Sequence, residues 1–390
     1  FTPELDCLVM DGDAAHRAAL AGQWEAVDLV VTSYDLLRRD EERYAGQAFY
    51  ACILDEAQAI KNHTTQKYKA VCRIQSRVRF ALTGTPVENR LGELWSIFSF
   101  LMPGYLPPYK SFCARFEKPI VQEEDEAAAR RLNQLTGPFL LRRMKADVLK
   151  ELPPKTENIH RIELEEEQRK LYLAAVVDAR DKLRAAKPED KMAVFAVLMR
   201  LREICCDPRL VADNWTGGSA KLDACIELVT SAVEGGHRIL LFSQFTSMLE
   251  LLARRLDEEG ISHFTLQGST PKPMRAERVR RFNNGEASVF LISLRAGGTG
   301  LNLTAADIVI HYDPWWNVAA QNQATDRAYR IGQQNPVQVY KLIAQDTIEE
   351  KIVELQQAKQ SLAETVTGTA DGAILAMKPD ELLELLEGEG

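Results

Sequence analysis

Two neighbouring acidic residues follow a short apolar run in the segment ILDEAQAIKN at residues 53–62. Asp55 and Glu56 come directly after Ile53 and Leu54, so the pattern predicts that they follow a buried strand. In open parallel sheets, ligands bind beyond the carboxyl ends of the strands. There an aspartate can hold a hydrated Mg²⁺ beside phosphates, and a neighbouring carboxylate can orient or deprotonate an attacking water. The alternative is a helix N-terminus, where acids are favoured by about 0.3 to 1 kcal/mol.

Two further turns have residue types suited to contact with anions. The segment LTGTP at residues 82–86 places Thr83 and Thr85 on either side of a glycine, at a predicted strand end. A later turn in ISLRAGGTG contains Gly297, Gly298 and Gly300. Glycine lets a backbone approach a ligand closely and point its amide hydrogens at anionic oxygens. Each turn alone is weak evidence, because such turns are common.

A pair of arginines follows the glycine-rich turn, in QNQATDRAYRIGQ at residues 321–333. Gln323, Arg327 and Arg330 have the spacing i, i+4 and i+7, which predicts one helical face. A glutamine can bind an adenine edge or order a water, and two guanidiniums can bind phosphoryl oxygens in a planar, bidentate manner. A single arginine is more often a surface ion-pair partner. Arginines presented by a second lobe would be arginine fingers, worth roughly 10³ to 10⁵ in rate, and would couple catalysis to lobe closure.

Composition limits the class of protein. A chain of 390 residues predicts two domains, and 46 % hydrophobic with 27 % charged residues is typical of a globular protein. The net charge of −8 argues against a uniformly basic nucleic-acid binder but allows a local basic cleft. No apolar run approaches the length of a membrane span, so no membrane partner is expected. The seven scattered cysteines form no CxxC and predict reduced thiols, with a reactive Cys205–Cys206 pair as the alternative.

The order of apolar runs and helical patterns predicts an α/β fold. Near-continuous Val/Ile/Leu strands alternate with helices in the first hundred residues and again from about residue 220, as in parallel sheets covered on both faces. The stretch between them is charged and helical. The predicted domains are the C-terminal part of a first lobe (1–102), helical protrusions and a linker (103–219), a second lobe (220–345), and a brace helix with an acidic tail (346–390). The leucines at 382, 383, 385 and 386 predict that this tail docks on the body, with a partner-binding tail as the alternative.

Six segments in series resemble the Swi/Snf-type ATPases, which are helicase-like double-stranded-DNA translocases of helicase superfamily two. The match follows the family's order from about residue 25 to 365, and DEAQ in place of DEAH is within the family's range. The segments are LDEAQAIKN, LTGTPVENRLGELWSIFSFLMPG, PFLLRRMKADVLKELPPK, LLFSQFTSMLELL, LISLRAGGTGLNLTAADIVIHYDPWWN and QATDRAYRIGQ.

The resemblance implies two RecA-like lobes flanking an ATP site, with helical insertions and a brace helix at residues 347–366. Asp55 would then bind Mg²⁺ through water, and Glu56 would activate the hydrolytic water. Thr83 and Thr85 would couple the ATP site to DNA.

In the second lobe the resemblance assigns Arg327 and Arg330 as the arginine fingers. Gln323 would lie beside them, and Gly298 and Gly300 would contact the nucleotide. The expected cofactors are therefore ATP and Mg²⁺.

The resemblance also implies contacts to double-stranded DNA from backbone-facing loops. Such contacts would be to phosphates, so little base specificity and strong salt dependence are expected. Trp315 and Trp316 would lever against a groove or stack, with a core position as the alternative. The expected contact residues are Ser33, Tyr34, Lys61, Asn62, Gln267, Ser269, Thr270, Ser293, Arg295 and Trp315.

One feature of the family is missing from these 390 residues. No glycine-rich loop ending in Gly-Lys-Thr precedes Asp55, and the opening FTPELDCLVMDG resembles the segment after the second family motif. The phosphate-loop lysine and the first lobe's central strands are therefore expected upstream of Phe1. A sheet without its central strands exposes backbone edges and an apolar face. The intact protein is then predicted to be an ATPase, and this chain alone to hydrolyse ATP weakly or not at all.

Two alternatives differ in class from a DNA-dependent ATPase. A non-catalytic DNA or protein interaction module is favoured for this chain by the missing phosphate loop. An RNA helicase of the DEAD-box type is disfavoured by the helical insertions and by DRAYRIGQ. The expected partners are duplex DNA and a DNA-bound protein complex, and a monomer is expected in the bacterial cytoplasm at the nucleoid, or in a eukaryotic nucleus.

Overall fold

A computed structural model describes two compact units of the chain. The first unit contains the described residues through Leu141, and the second contains those from residue 143 onward. The described residues are 2–83, 91–123, 125–141, 143, 149, 152–187, 190–297, 300–356 and 379–387.

The first unit combines short parallel strands with helices. Its strands are β1 (Cys7–Val9), β2 (Leu29–Val31), β3 (Ala48–Leu54) and β4 (Gln75–Ala81). Its helices are α1 (Ala14–Ala21), α2 (Tyr34–Arg39), α3 (Glu41–Ala45), α4 (Gln66–Cys72), α5 (Leu91–Leu101), α6 (Tyr109–Phe112), α7 (Lys118–Gln122) and α8 (Glu126–Thr136). Short 3₁₀ turns lie at Trp24–Ala26, Ala57–Ile60 and Gly137–Phe139, and a π-helical turn at Cys113–Glu117.

The sheets of the first unit have an exposed apolar face. β1 pairs in parallel with β2, and β3 pairs in parallel with β4, in two separate two-stranded sheets. Val9 lies opposite Val31, and Ile53 lies opposite Phe80. These four side chains are exposed, Ile53 to 58 % and Phe80 to 51 %. The prediction of an incomplete first lobe is confirmed.

The second unit is built around one larger sheet. Its strands are β5 (Lys155–Ile162), β6 (Ile239–Ser243), β7 (His263–Leu266), β8 (Val289–Ser293), β9 (Ile308–His311) and β10 (Val337–Ala344). Its helices are α9 (Glu166–Ala185), α10 (Lys191–Cys206), α11 (Ala220–Glu234), α12 (Thr246–Glu258), α13 (Lys272–Asn283), α14 (Leu294–Gly297), α15 (Val318–Thr325), α16 (described over residues 348–356) and α17 (Pro379–Glu387), with a 3₁₀ turn at Pro208–Leu210.

The sheet of the second unit is parallel and is covered by helices on both faces, as the apolar runs predict. Its strand order is β5-β10-β9-β6-β8-β7, and the residue pairs of all five strand pairings are parallel. Every residue of β6, β8 and β9 is buried. Val229 of α11 and Leu252 of α12 pack on one face, while Phe282 of α13 and Ala324 of α15 pack on the other. The predicted α/β fold with RecA-like parallel sheets is confirmed.

One strand lies where the sequence predicts only helices and a linker. β5 falls within residues 103–219 and pairs with β10 along its whole length, from Lys155 to Ile162. The prediction of helices alone is wrong for this stretch. The strand escaped detection because β5 lies at the sheet edge, where seven of its eight residues are exposed. Its sequence, KTENIHRI, lacks the apolar run of a buried strand, and its pairing depends on a partner far along the chain.

The C-terminal helix α17 docks on the helices that follow β5. Leu382 and Leu386 are fully buried in a cluster with Tyr172 of α9 and Leu201 of α10. The predicted docking of the acidic tail is therefore confirmed for these leucines. Leu383 packs against the same cluster, and the side chain of Leu385 lies outside the described residues. The predicted brace helix is described only over residues 348–356.

Two fully buried ion pairs attach helices to the sheet of the second unit. Lys221 of α11 has its Nζ 2.5 and 2.7 Å from the carboxylate oxygens of Glu349 on α16. Glu349 also accepts from the backbone N–H of Ala344, at the end of β10 (2.8 Å). Arg202 of α10 donates to Asp313, just after β9, at 3.2 Å. The described brace helix and the helical layer are thus tied to strand ends by charge-assisted hydrogen bonds.

The composition-based predictions concern thiols and membranes. The seven cysteines are free, and Cys205, Cys206 and Cys225 are buried. Burial raises the pKa of Cys225 to about 12 and that of Cys206 well above its usual value, so a reactive Cys205–Cys206 pair is disfavoured. Within the described ranges, none of the helices combines the length and the apolar character that a bilayer crossing requires.

Removing one partner of the buried Lys221–Glu349 pair should destabilise the second unit strongly. Lys221→Ala leaves the Glu349 carboxylate buried without its cation, and we expect a loss of about 3 to 5 kcal/mol in the free energy of unfolding. Urea denaturation followed by tryptophan fluorescence measures this. Lys170→Ala, which removes solvent-exposed ion pairs with Glu166 and Glu167, is the control and should cost far less. Equal losses in the two variants would contradict the prediction.

Acid should destabilise the second unit through His311. This side chain is buried at the end of β9, with its Nε2 2.9 Å from Thr325 Oγ1, and burial lowers its pKa to about 3. Below about pH 6.5 the unfolded histidine binds a proton that the folded one does not, so stability should fall as the pH drops towards 3, by up to about 1.4 kcal/mol per pH unit. Denaturation at several pH values should show a smaller slope for His311→Gln. An equal slope in the unaltered chain and in His311→Gln would contradict the prediction.

Candidate functional site

The two carboxylates follow a strand end, as the sequence predicts, but the prediction that this strand is buried is wrong, because only Leu54 of β3 is buried. β3 ends at Leu54, and Asp55 and Glu56 follow it directly. Glu56 has φ 49° and ψ 52°, a left-handed conformation that costs a non-glycine residue about 1 to 2 kcal/mol. A 3₁₀ turn begins at Ala57, and the side chain of Glu56 makes no capping bond to it. The alternative, a helix N-terminus, is present only as this short 3₁₀ turn, and strained backbone of the kind seen at Glu56 clusters at functional sites.

A chain of hydrogen bonds connects Glu56 to the end of the neighbouring strand. The side-chain amide of Gln58 donates to Glu56 Oε2 at 2.6 Å, and the hydroxyl of Thr83 donates to Gln58 Oε1 at 2.8 Å. Gln58 is thus the link between the carboxylate and the LTGTP segment, a role that the sequence analysis missed. The sequence feature that could have pointed to Gln58 was its place as the last residue of DEAQ. Thr85 lies outside the described residues.

Ser33 and Tyr34 lie beside the same strand end. The Tyr34 hydroxyl donates to the carbonyl oxygen of Asp55 at 2.8 Å, and burial, together with the charge of Asp55, raises the pKa of Tyr34. The phenol therefore stays protonated and remains a donor. Ser33 Oγ accepts from the backbone N–H of Leu36 and so caps α2. Both predicted DNA contacts also have a structural role.

Lys61 and Asn62 follow the 3₁₀ turn. The Nζ of Lys61 is 3.8 Å from Glu93 Oε1 on α5. Asn62 Oδ1 accepts from the backbone N–H and the hydroxyl of Thr64, at 2.9 and 2.7 Å. Asn62 therefore shapes the turn that carries the lysine.

The Asp55 carboxylate fits a hydrated Mg²⁺. It is exposed, and its Oδ1 accepts from the backbone N–H of Glu56 at 3.0 Å. Mg²⁺ is usually held by one or two carboxylates together with waters and substrate phosphates. Within the described part of the chain no group of three or more His, Cys, Asp or Glu residues could hold a metal.

The two candidate finger arginines lie in a turn, not on the helix that carries Gln323. α15 ends at Thr325, and Arg327 and Arg330 come after it. The predicted single helical face is therefore wrong. The backbone N–H of Leu303 donates to the Arg327 carbonyl (3.0 Å). This carbonyl therefore pairs with a distant segment and not with a later residue of a continued helix.

Side chains within the second unit hold this arginine turn. Arg330 Nη1 donates to the Leu301 carbonyl at 3.1 Å. The buried side-chain amide of Gln333 lies within hydrogen-bond distance of three carbonyl oxygens, those of Ala306 (2.7 Å), Thr304 (3.2 Å) and Ala328 (3.2 Å). The turn is thus joined to residues 301–306, directly after the glycine-rich loop. Sequence reasoning missed Gln333, whose only signal was its place in RIGQ.

The glycine-rich loop begins at the end of β8. Ser293 is buried there, and its hydroxyl accepts from the backbone N–H of Ala296 at 3.3 Å. Gly300 has φ +36°, and a Cβ built on it meets no atom within 4 Å. Glycine is therefore favoured at position 300 by the positive φ and not by a lack of space for a side chain. Gly298 and the side chain of Arg295 lie outside the described residues.

The loop after β7 contains the remaining predicted DNA contacts. Gln267 N–H donates to Thr270 Oγ1 at 3.0 Å, and Thr270 N–H donates to the Gln267 carbonyl at 3.1 Å. Gly268 and Ser269, between them, are exposed. The loop is a closed turn with its tip in solvent.

The two tryptophans differ in their surroundings. Their ring centroids are 5.1 Å apart, and Trp316 is buried beneath the Arg202 guanidinium, 4.4 Å from its ring centroid. Trp316 is therefore a core residue, as the alternative held. Trp315 is half-buried, and its carbonyl accepts from the Gln356 side chain of α16. A DNA role for Trp315 remains a prediction.

Comparison with protein families matches both parts of the chain. The model of the SNF2-related domain matches residues 1–210. The model of the helicase conserved C-terminal domain matches residues 220–332.

Curated relatives match almost the whole chain. The Bacillus subtilis protein YwqA, named as a candidate ATP-dependent helicase/translocase, is 40 % identical over 99 % of this chain and 43 % of its own length. A Mycoplasma genitalium protein named as an uncharacterized ATP-dependent helicase is 36 % identical over 99 % of this chain and 37 % of its own length. The SWI/SNF-related regulator of chromatin subfamily A member 1 of Mus musculus is 36 % identical over 93 % of this chain and 36 % of its own length. The chain thus spans about two fifths of the length of these relatives.

Two solved structures from Sulfolobus solfataricus resemble this chain. One is a SWI2/SNF2 ATPase core in complex with double-stranded DNA, with a TM-score of 0.51 and 34 % identity over 98 % of this chain and 81 % of that chain. The other is the same core domain, with a TM-score of 0.52 and 34 % identity over 99 % and 80 %. With the family models, these matches establish that the chain belongs to the SNF2-related family of helicase-like ATPases.

Proposed function

We propose that the whole protein is an ATP-dependent translocase on double-stranded DNA, which remodels DNA-bound proteins without separating the strands. The observation that carries the proposal is the hydrogen-bonded chain from Glu56 through Gln58 to Thr83. It ties a strained strand-end carboxylate to the neighbouring strand end, where a parallel sheet binds its ligand. Support for the DNA substrate comes from the archaeal core that was solved with duplex DNA.

The first unit supplies the groups that prepare the attacking water. Asp55 would hold hydrated Mg²⁺ at the strand end, and Glu56 would orient the water and take its proton. Gln58 fixes the Glu56 carboxylate by donating to it. Bound Mg²⁺ supplies positive charge against the phosphate oxygens. A shift in Thr83 would move Gln58, so DNA contact on this side can alter the position of Glu56.

The second unit supplies cationic groups. Arg327 and Arg330 are proposed to bind phosphoryl oxygens of a nucleotide and to stabilise the charge that develops there, and Gln323 lies on the helix before them. The glycine loop at Gly300 follows the strand end that carries the predicted DNA contacts. Arg330 binds the Leu301 carbonyl in this loop, so a change in the loop alters the freedom of the guanidinium.

DNA binding is proposed to rest on phosphate contacts from both units. Lys61 and Asn62 in the first unit, and the 267–270 loop with Ser293, Arg295 and Trp315 in the second, are the proposed contacts. Such contacts position the duplex without reading its sequence. We further propose that the protein acts as a monomer at the nucleoid or in the nucleus, on a DNA-bound protein complex.

The 390-residue chain by itself is proposed to bind DNA but to hydrolyse ATP weakly or not at all. The sequence contains no glycine-rich loop ending in Gly-Lys-Thr, so these residues lack the usual backbone cradle and lysine for the β- and γ-phosphates. A non-catalytic DNA-binding module is thus the second candidate for the chain in isolation.

Fluorescence anisotropy with two duplexes of unrelated sequence, together with an ATP turnover assay, tests these statements on the 390-residue chain. We expect similar affinities for both duplexes and a linear fall of log K with log salt concentration, because each phosphate contact releases counterions. ATP turnover should stay near background with and without DNA.

Robust DNA-stimulated turnover would contradict the proposed inactivity of the chain. Strong preference for one duplex, or no affinity for either, would contradict the proposed DNA contacts. Displacement of a paired strand would favour a helicase in place of a translocase.

The arginine turn should depend on Gln333 for its stability. Gln333→Ala removes the donor to buried carbonyl oxygens, and leaving such groups unpaired costs about 1 to 3 kcal/mol in the free energy of unfolding. Gln334→Ala is the matched control, because Gln334 is adjacent and exposed. Urea denaturation of both variants measures the difference. A loss in the Gln334 variant as large as that in the Gln333 variant would show that the carbonyl contacts do not stabilise the turn.

A further inference from the structure

We propose that Arg275 is a positioning residue for DNA binding, which shapes the 267–270 loop without itself contacting a phosphate. This inference rests on the proposed function, since it assumes that the loop binds the DNA backbone. It adds a residue that neither the motif spacing nor the family resemblance brought into the site.

Three hydrogen bonds join the Arg275 guanidinium to this one loop. From the first turns of α13, its Nε donates to the Thr270 carbonyl at 2.8 Å. Its Nη2 donates to the Gly268 carbonyl at 2.8 Å and to the Gln267 carbonyl at 3.3 Å. A planar guanidinium with donors at fixed angles can bind several carbonyls at once, which an ammonium group on a flexible stem does poorly.

The hydrogen bonds from Arg275 favour the binding of an anion at the 267–270 loop. Carbonyl oxygens carry partial negative charge, and three of them facing a phosphate would repel it. Arg275 binds these oxygens and leaves a positive charge beside the turn. Gly268 and Ser269 are exposed, and among the described residues their backbone N–H groups make no hydrogen bond. Successive unpaired amides of this kind bind anions such as phosphate.

A second arginine supports the strand before the loop. Arg278, one helical turn after Arg275, donates to the Thr265 carbonyl of β7. α13 therefore holds both the strand end and the loop through guanidinium–carbonyl contacts. Arg280 lies on the same helix, is exposed and makes no side-chain hydrogen bond in the described part of the chain. Arg280 is therefore the control residue, an arginine on the same helix that does not bind the 267–270 loop.

Substitution by lysine separates positioning from direct charge contact. Arg275→Lys keeps the charge but loses the planar fork, so we expect duplex affinity to fall about tenfold, as for the loss of charge-assisted hydrogen bonds. The slope of log K against log salt should be unchanged, because no phosphate contact is removed. Arg280→Lys should bind as the unaltered chain does. Circular dichroism establishes that each variant is folded.

Hydrogen exchange of the loop in the absence of DNA gives a second readout. Arg275→Lys should raise amide exchange in the peptide that covers residues 264–271, and Arg280→Lys should not. If Arg275→Lys keeps full affinity while Arg275→Ala lowers the salt slope by about one, Arg275 contacts phosphate directly and the inference is wrong. Unchanged affinity and exchange in Arg275→Lys also overturn it. Failure of the unaltered chain to bind duplex DNA would instead refute the proposed function, and the inference with it.

Discussion

Side-chain donors that bind main-chain carbonyl oxygens hold the irregular parts of the second unit in shape. Segments outside helices and strands leave many carbonyls without a main-chain donor, and such a carbonyl is costly where it is buried. Gln333 donates to buried carbonyls in the arginine turn. Arg275 donates to the more exposed carbonyls of the loop after β7, and in the first unit Tyr34 donates to the carbonyl of Asp55. The chemistry-bearing residues are thus placed by neighbours that have no chemistry of their own.

The buried ion pairs act on a larger scale, between whole elements. Arg202 with Asp313 connects α10 to the end of β9, and Lys221 with Glu349 connects α11 to α16, whose Glu349 also accepts from the end of β10. Such pairs add little net stability, because desolvation offsets the attraction between the charges. They do penalise any other packing, since a displaced partner would leave a charge alone in the core. We therefore interpret them as devices that specify how α10, α11 and α16 attach to the sheet.

Sequence patterns predicted the elements that bury apolar runs and failed where long-range contacts decide. β6, β8 and β9 were evident because every residue in them is buried. The position of Asp55 at a strand end was predicted from the apolar residues before it, although only Leu54 of β3 is buried. β5 was missed because an exposed edge strand has no apolar signal. The spacing of Arg327 and Arg330 suits a helix, but a backbone bond from Leu303 draws the chain into a turn. Gln58 and Gln333 lack any hydropathy signal, and only coordinates reveal their partners.

The uncovered strand faces of the first unit have a calorimetric consequence. Val9, Val31, Ile53 and Phe80 are already in contact with water in the folded state, so unfolding hydrates less additional apolar area there than in the second unit. The heat-capacity increment per residue scales with newly hydrated apolar area, so it is smaller for the first unit. Its stability curve is accordingly flatter with temperature, and the two halves of the chain respond differently to cooling.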